Sequence, residues 1–295
     1  MSNNIEKTII PHIKDLGGFQ ARRLLPNKNQ PMVGSFIFFD HLGPATFPPG
    51  KGVDVRPHPH INLATVTYLF EGTLLHHDSL GFVQEIRPGE VNWMTAGSGI
   101  VHSERTPENT RIQEATLHAI QTWIALPEEY EEVSPSFHHY SASSLPQWNS
   151  NGTSVTLIAG KACGYESPVK TFSPMLYLDV KFDLNASFTL NSEYSEQAIY
   201  SVTPGIAIDG EPIEQHSLII LKSGASVEIT SNAEARCIVI GGEPVGQRYK
   251  WWNFVSSRPE RIEQAKIDWK EGRFDQVPTE TEFIPLPDDS FMEGF

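Results

Sequence analysis

The chain has 295 residues, a formal net charge of −14, 39% hydrophobic and 20% charged residues, and six tryptophans. That length favours two domains with well-packed cores, and no segment has a composition that implies disorder. The acidic balance opposes direct attachment to a phosphate backbone, which needs clustered Lys and Arg, and no apolar run reaches the roughly 18 residues needed to cross a bilayer. Met1 to Asp15 carries charges throughout and lacks a secretory apolar core, so the sequence reads as a cytoplasmic protein. Cys163 and Cys237 are too few for a disulfide framework and read as two buried thiols.

The 22 prolines and 22 glycines, scattered among short β-branched and aromatic runs, predict an all-β sandwich or barrel. An exposed strand is expected around Thr8 to Ile13, and a continuous apolar strand over Val33 to Phe39, ended by Asp40-His41 and a proline-rich loop. Ile61 to Phe70 reads as a strand closed by a turn at Glu71-Gly72, and Val91 to Thr95 as a short strand before the bend Gly97-Ser98-Gly99. Leu117 to Leu126 resumes as a strand, followed by an acidic run, Glu128 to Glu132, that reads as a solvated turn. Ser141 to Gly152 shifts to Ser, Pro, Asn and Gly and is the best linker. The domains are therefore expected at 1–140 and 141–295. Seven further strand-like runs lie between Thr153 and Gly241, at a spacing that fits a second sandwich. A helix near 258–271 follows from Pro259 in the first turn, a Ser257/Glu260 capping-box pattern, and Ile262, Ala265 and Trp269 on one face. The acidic, proline-rich tail after Phe274 is expected to be loosely attached.

The chemistry concentrates between Arg56 and Arg105. His58 and His60 stand two apart, so on an extended chain they point to one side of the sheet. His102 and Glu104 share the same parity. By itself Pro57-His58-Pro59-His60 fits an exposed turn as well as a metal site; the second same-face pair favours the metal. Antiparallel pairing would then bring three imidazoles and one carboxylate onto one ion, His58, His60, His102 and Glu104. If the next strand is continuous with the histidines, Asn62, Ala64, Val66, Tyr68 and Phe70 share their face. His76-His77 and His138-His139 read as surface. Trp93 and Met94 read as core, with Trp93 a possible pocket wall; Gln113 and Gln121 are weaker candidates for ligand hydrogen bonds. Beyond residue 139 the only histidine is His216, with no partner at ligand spacing, so a metal in the second half is not expected.

These residues carry a resemblance. Gly52, His58 and His60 resemble the opening of the first cupin motif. Pro88-Gly89, Trp93 to Gly97 and Gly99-Ile100-Val101-His102-Ser103-Glu104 resemble the second motif as the pirin family writes it. Arg22 to Pro26, Phe38 to His41, Gln121-Thr122-Trp123 and the run from Trp251 to Phe274 agree with that family. The resemblance implies two tandem cupin domains, jelly-roll sandwiches or barrels, with a short C-terminal helix. General cupins carry a ligating Glu three or four residues after the second histidine, where this chain has Ala64 and Thr65. The pirin pattern takes its carboxylate from Glu104 instead. Ala64 replaces a Glu common in pirins, which predicts altered polarity around an intact site.

The resemblance further implies Fe(II) as the metal, with nickel, copper, manganese or zinc able to take its place in purified protein. It implies quercetin 2,3-dioxygenase-type chemistry: oxidative ring opening of a flavonol-like substrate by O2 with release of carbon monoxide, Glu104 acting as the base. The alternative is a non-catalytic, iron- or redox-responsive regulatory protein that binds a transcription factor or a metabolic enzyme. A sugar isomerase is disfavoured, because the site lacks further charged residues to grip a sugar phosphate. Two sandwiches in one chain favour a monomer.

Overall fold

The structure, a computed structural model, describes residues 3–16 and 18–288. Among them the protein is built from β-strands, and the one helix longer than a single turn is Pro259–Lys270. Compactness divides the chain less linearly than the 140/141 boundary. One unit combines residues up to Lys14 with Arg22–Phe38 and Ser143–Pro244; the other combines Asp15–Ala21 with Phe39–Ala142 and the chain from Val245 onward. The crossing at Ala142/Ser143 falls in the Ser- and Pro-rich stretch, but both ends of the chain exchange units. The N-terminal strand Ile5–Ile9 does so because it pairs with Leu218–Leu221. The C-terminal helix does so because its apolar face, Ile262 and Ala265, packs on Ile61 and Phe254.

In the 143–244 unit the strands run in the order Ile5–Ile9, Leu218–Leu221, Glu196–Ser201, Ala235–Gly242, Met175–Phe182, Thr153–Ala162, Gln147–Ser150. A second sheet orders Ser187–Leu190, Val227–Ser231, Ile206–Ile208 and Glu211–Pro212. Their inward residues form one apolar core that includes Leu157, Leu178, Val180, Ile199, Ile229 and Val239. Burying such side chains is worth about 1.5–3 kcal/mol each, which is what holds the sheets together. Both cysteines are free; Cys237 is buried, whereas Cys163 is only half-buried.

The 39–142 unit carries the histidine-rich stretch. One sheet orders Asp54–His60, Ile100–Arg105, Leu74–Asp78 and Val83–Ile86. The facing sheet includes Ser136–Tyr140, Val91–Thr95, Leu63–Gly72, Ala115–Ala125 and Phe36–Phe47 in that order. The last of these continues through Asp40-His41 to Phe47, where the sequence suggested a loop. Asp40 and His41 are buried, and His41 Nε2 lies 2.7 Å from His118 Nε2. The Pro259–Lys270 helix has the predicted extent, but its predicted cap does not form. Arg258 occupies the N-cap without a side-chain hydrogen bond, and Ser257 bonds Glu131 through both its N–H (2.8 Å) and its hydroxyl (3.0 Å).

Candidate metal centre

The register of two neighbouring strands builds the centre. Asp54–His60 pairs antiparallel with Ile100–Arg105, setting His102 opposite His58 and Ile100 opposite His60. Residues opposite each other in a ladder point to the same face, so the three imidazoles converge. Their ring centroids lie 4.4 Å (His58–His102), 5.0 Å (His58–His60) and 5.1 Å (His60–His102) apart. One ligand nitrogen from each lies within 4.8 Å of the others. The bend before Ile100 fixes the approach: Asn62 N–H donates to Gly97 O at 2.8 Å, and Gly97 has φ +51° with no room for a side chain, since a Cβ would sit 1.9 Å from Val133 O.

All three rings are buried, with exposures of 8%, 1% and 1% for His58, His60 and His102. Burial holds the His58 imidazole below the usual histidine range and those of His60 and His102 well below it; nearby imidazoles add to the effect, His76 on His58, His58 on His60, and His58, His60 and His76 on His102. They are thus neutral, the form that ligates metal. Two tautomers are set by the main chain: His58 Nδ1–H donates to Arg56 O (2.9 Å) and His60 Nδ1–H to Asn253 O (3.2 Å), leaving each Nε2 free. His102 is different: neither ring nitrogen has a hydrogen-bond partner although both are buried. An orphaned buried imidazole costs free energy unless something accepts its lone pair, and a divalent transition metal fits that need.

Glu104 lies on the same strand face. Its Oε1 accepts from Thr67 Oγ1 at 3.0 Å and its Oε2 from Gln121 Nε2 at 2.7 Å. The close group of potential ligand atoms among the described residues is His58, His60 and His102, without Glu104. Each carboxylate oxygen nonetheless retains a lone pair beyond the one hydrogen bond it accepts. The negative charge acts on His58, favouring its protonated form against the larger effect of burial.

Several sequence expectations change here. The Leu63–Gly72 strand does not continue from the histidines: Asn62 takes φ +61° and breaks it. The parity therefore slips by one, and Thr65 and Thr67 face the centre in place of Ala64, Val66 and Tyr68. Thr67 reaches Glu104, and Trp123, opposite Thr65, lies 5.1 Å from the His60 ring. Ala64 consequently points away from the centre and cannot alter its polarity directly. Trp93, opposite Val66, is core and not a pocket wall.

His76 is the largest departure: it is 3% exposed rather than on the surface, 5.4 Å from the His102 ring, with Nε2 2.9 Å from Asp78 Oδ2. The parity signal that flagged His58 and His60 was present in His76 and Asp78 as well. His138 is exposed, but His139 is half-buried, with Nδ1 2.8 Å from Asn92 Oδ1. Of the two glutamines, Gln121 reaches the centre and Gln113 is exposed.

A cavity of about 930 Å³ lies elsewhere in this unit, between the helix and the C-terminal segment. It is lined by Trp251, Trp269, Phe274 and Phe283 and reaches Pro57 and Val101. Those two residues alternate with the histidines, so the cavity meets the reverse side of the ligand strands.

A two-sandwich chain with a buried three-histidine cluster at paired strand ends defines a bicupin with a metal-competent first half. The pirin profile matches residues 18–124 and the pirin C-terminal cupin domain matches residues 177–275. A pirin-like protein of Caulobacter vibrioides is 46% identical over 280 residues, covering 93% of this chain and 96% of that protein. Mouse pirin is 30% identical, covering 87% and 88%. The crystal structure of quercetin 2,3-dioxygenase from Acinetobacter baumannii superposes with a TM-score of 0.88 at 34% identity, covering 95% of this chain and 94% of that one. The chain belongs to the pirin family.

Proposed function

We propose that the protein is a metal-dependent dioxygenase that opens a flavonol-like ring with O2, the activity named for its Acinetobacter relative. The observation that carries this reading is the buried cluster of His58, His60 and His102, with both nitrogens of His102 unpartnered, beside the Glu104 carboxylate. His58, His60, His102 and Glu104 would hold the ion. Three imidazole nitrogens and one carboxylate oxygen are a donor set that would suit Fe(II), with nickel, copper, manganese or zinc as substitutes. When bound, such an ion supplies Lewis acidity that lowers the pKa of a coordinated hydroxyl, together with redox access for O2.

The chain's own groups do the remainder. Burial keeps the imidazoles neutral and available as donors of lone pairs. Glu104 takes the proton of the substrate hydroxyl on Oε1, because the Thr67 hydroxyl can turn from donor to acceptor there, whereas the Gln121 amide facing Oε2 can only donate. Trp123 screens the His60 side of the centre from water.

Anaerobic loading with Fe(II), metal quantification, and quercetin turnover followed by oxygen consumption and carbon monoxide release test this reading, with His58→Ala as the control. Metal-dependent release of carbon monoxide is the expected result. One bound iron without turnover would sink the dioxygenase reading and leave a metal-responsive regulatory role.

A further inference from the structure

His58 and His60 have their ring planes fixed by hydrogen bonds to main-chain carbonyls; His102 has none on either nitrogen. Its orientation must therefore come from packing. Among the described aromatic rings, those packed against it are His58, His60 and His76, at centroid distances of 4.4, 5.1 and 5.4 Å. The first two belong to the same cluster, so among these rings His76 is the external reference.

His76 is itself immobilised on two sides. Its Nε2–H donates to Asp78 Oδ2 at 2.9 Å, and its ring stacks on Phe137 with centroids 4.2 Å apart and planes 13° from parallel. Asp78 is fixed in turn, its Oδ1 accepting the backbone N–H groups of Leu80 (2.9 Å) and Phe82 (3.1 Å). The register sets Asp78 opposite His102 and His76 opposite Glu104, so both side chains project to the face of the ligands. Asp78 is fully buried and His76 nearly so.

We propose that His76, locked by Asp78 and Phe137, is a positioning residue that sets the angle at which His102 presents its nitrogen to a bound ion. This rests on the metal-binding reading above. It goes beyond it by assigning to a non-ligand pair the role that main-chain carbonyls play for His58 and His60. A buried His–Asp pair that merely fills the core would stabilise the fold without affecting coordination geometry.

The full-length chain loaded with Co(II) separates the two. The d–d absorption bands report geometry directly, and chelator competition reports affinity. His76→Ala is expected to shift the bands and weaken Co(II) binding about 10–100-fold, the usual consequence of losing a group that orients a ligand. Asp78→Asn keeps the buried volume and is expected to shift the bands in the same direction with a smaller loss of affinity; it answers the question if His76→Ala does not fold. Ile86→Ala, in the apolar core with Leu69 and Leu74, is the control for destabilisation alone and is expected to leave the spectrum unchanged. Variant spectra and affinities equal to wild type, or an equal change in Ile86→Ala, overturn the proposal. Failure of the wild-type chain to bind Co(II) overturns it together with the metal-binding reading.

Discussion

Glu104 and Gln121 show how residue identity and neighbour decide chemistry together. A carboxylate with one donor on each oxygen is held in a single orientation, and its two donors differ in what they do when a proton arrives. Glu104→Gln is therefore expected to retain metal through the three histidines and to lose flavonol turnover; a variant with metal and full turnover would remove Glu104 as the base. Gln121→Ala frees Oε2 and is expected to weaken metal binding about 10–100-fold, less than His58→Ala, as measured by chelator competition. Affinity unchanged from wild type would show that Thr67 alone orients the carboxylate.

At the scale of elements, two surface-like stretches of sequence turn out to be structural. The acidic run after Leu126 contributes Glu131, which is 1% exposed. Its carboxylate accepts from Asn62 Nδ2 (3.1 Å), Ser256 Oγ (3.0 Å) and Ser257 N–H, and Arg248 Nε lies 2.8 Å away, an ion pair whose N–H does not point along the contact. It thereby ties the helix entrance to the residue that breaks the strand after the histidines. Removing one partner from a buried charged network leaves the other unpaired, so Glu131→Ala is expected to cost about 3–5 kcal/mol in urea unfolding. A loss below about 1 kcal/mol would mean that water replaces the carboxylate.

Of the tail after Phe274, residues 275–288 are likewise attached rather than loose, and 289–295 lie outside the described residues. Ile284 N–H donates to Pro57 O (2.8 Å), Val277 is buried, and Glu280 meets Ser103, Arg105 (2.7 Å) and His77 (3.3 Å) on the reverse side of the ligand strand. Burial would raise the Glu280 carboxyl, but hydrogen bonds from Arg105 and Ser103 and the Arg105 charge hold it below the usual range. A depressed carboxylate stabilises above its unfolded value and loses that contribution as pH falls through the folded one. Protection of residues 275–288 against hydrogen exchange, taken relative to the intrinsic rate at each pH, should accordingly fall in acid, and Glu280→Gln should show the lower protection already at neutral pH. Identical exchange in the variant would assign the attachment to Val277 and Ile284 alone.

For the whole molecule, the buried histidines make stability depend on pH in the same sense, over a higher pH range. In metal-free protein the folded state refuses protons that the unfolded chain accepts near about pH 6.5. Stability is then full above that value and falls as pH drops through it. Urea midpoints taken from about pH 7.5 down to about 5.5 should decrease; a constant midpoint would contradict neutral buried imidazoles.

The sequence by itself determined the all-β class, the terminal helix, most strands of both sandwiches, and the pairs His58/His60 and His102/Glu104. These are local properties: β-branched runs, proline and glycine punctuation, and a side-chain period of two within one strand. Tertiary structure decided what depends on which strand lies beside which. Register brought His102 opposite His58 and placed Asp78 beside them. One left-handed residue, Asn62, exchanged the faces of the next strand. Glu131 and Glu280 found partners more than 100 residues away in sequence. No local pattern encodes those contacts, because burial of a charge is decided by partners that only the folded chain supplies.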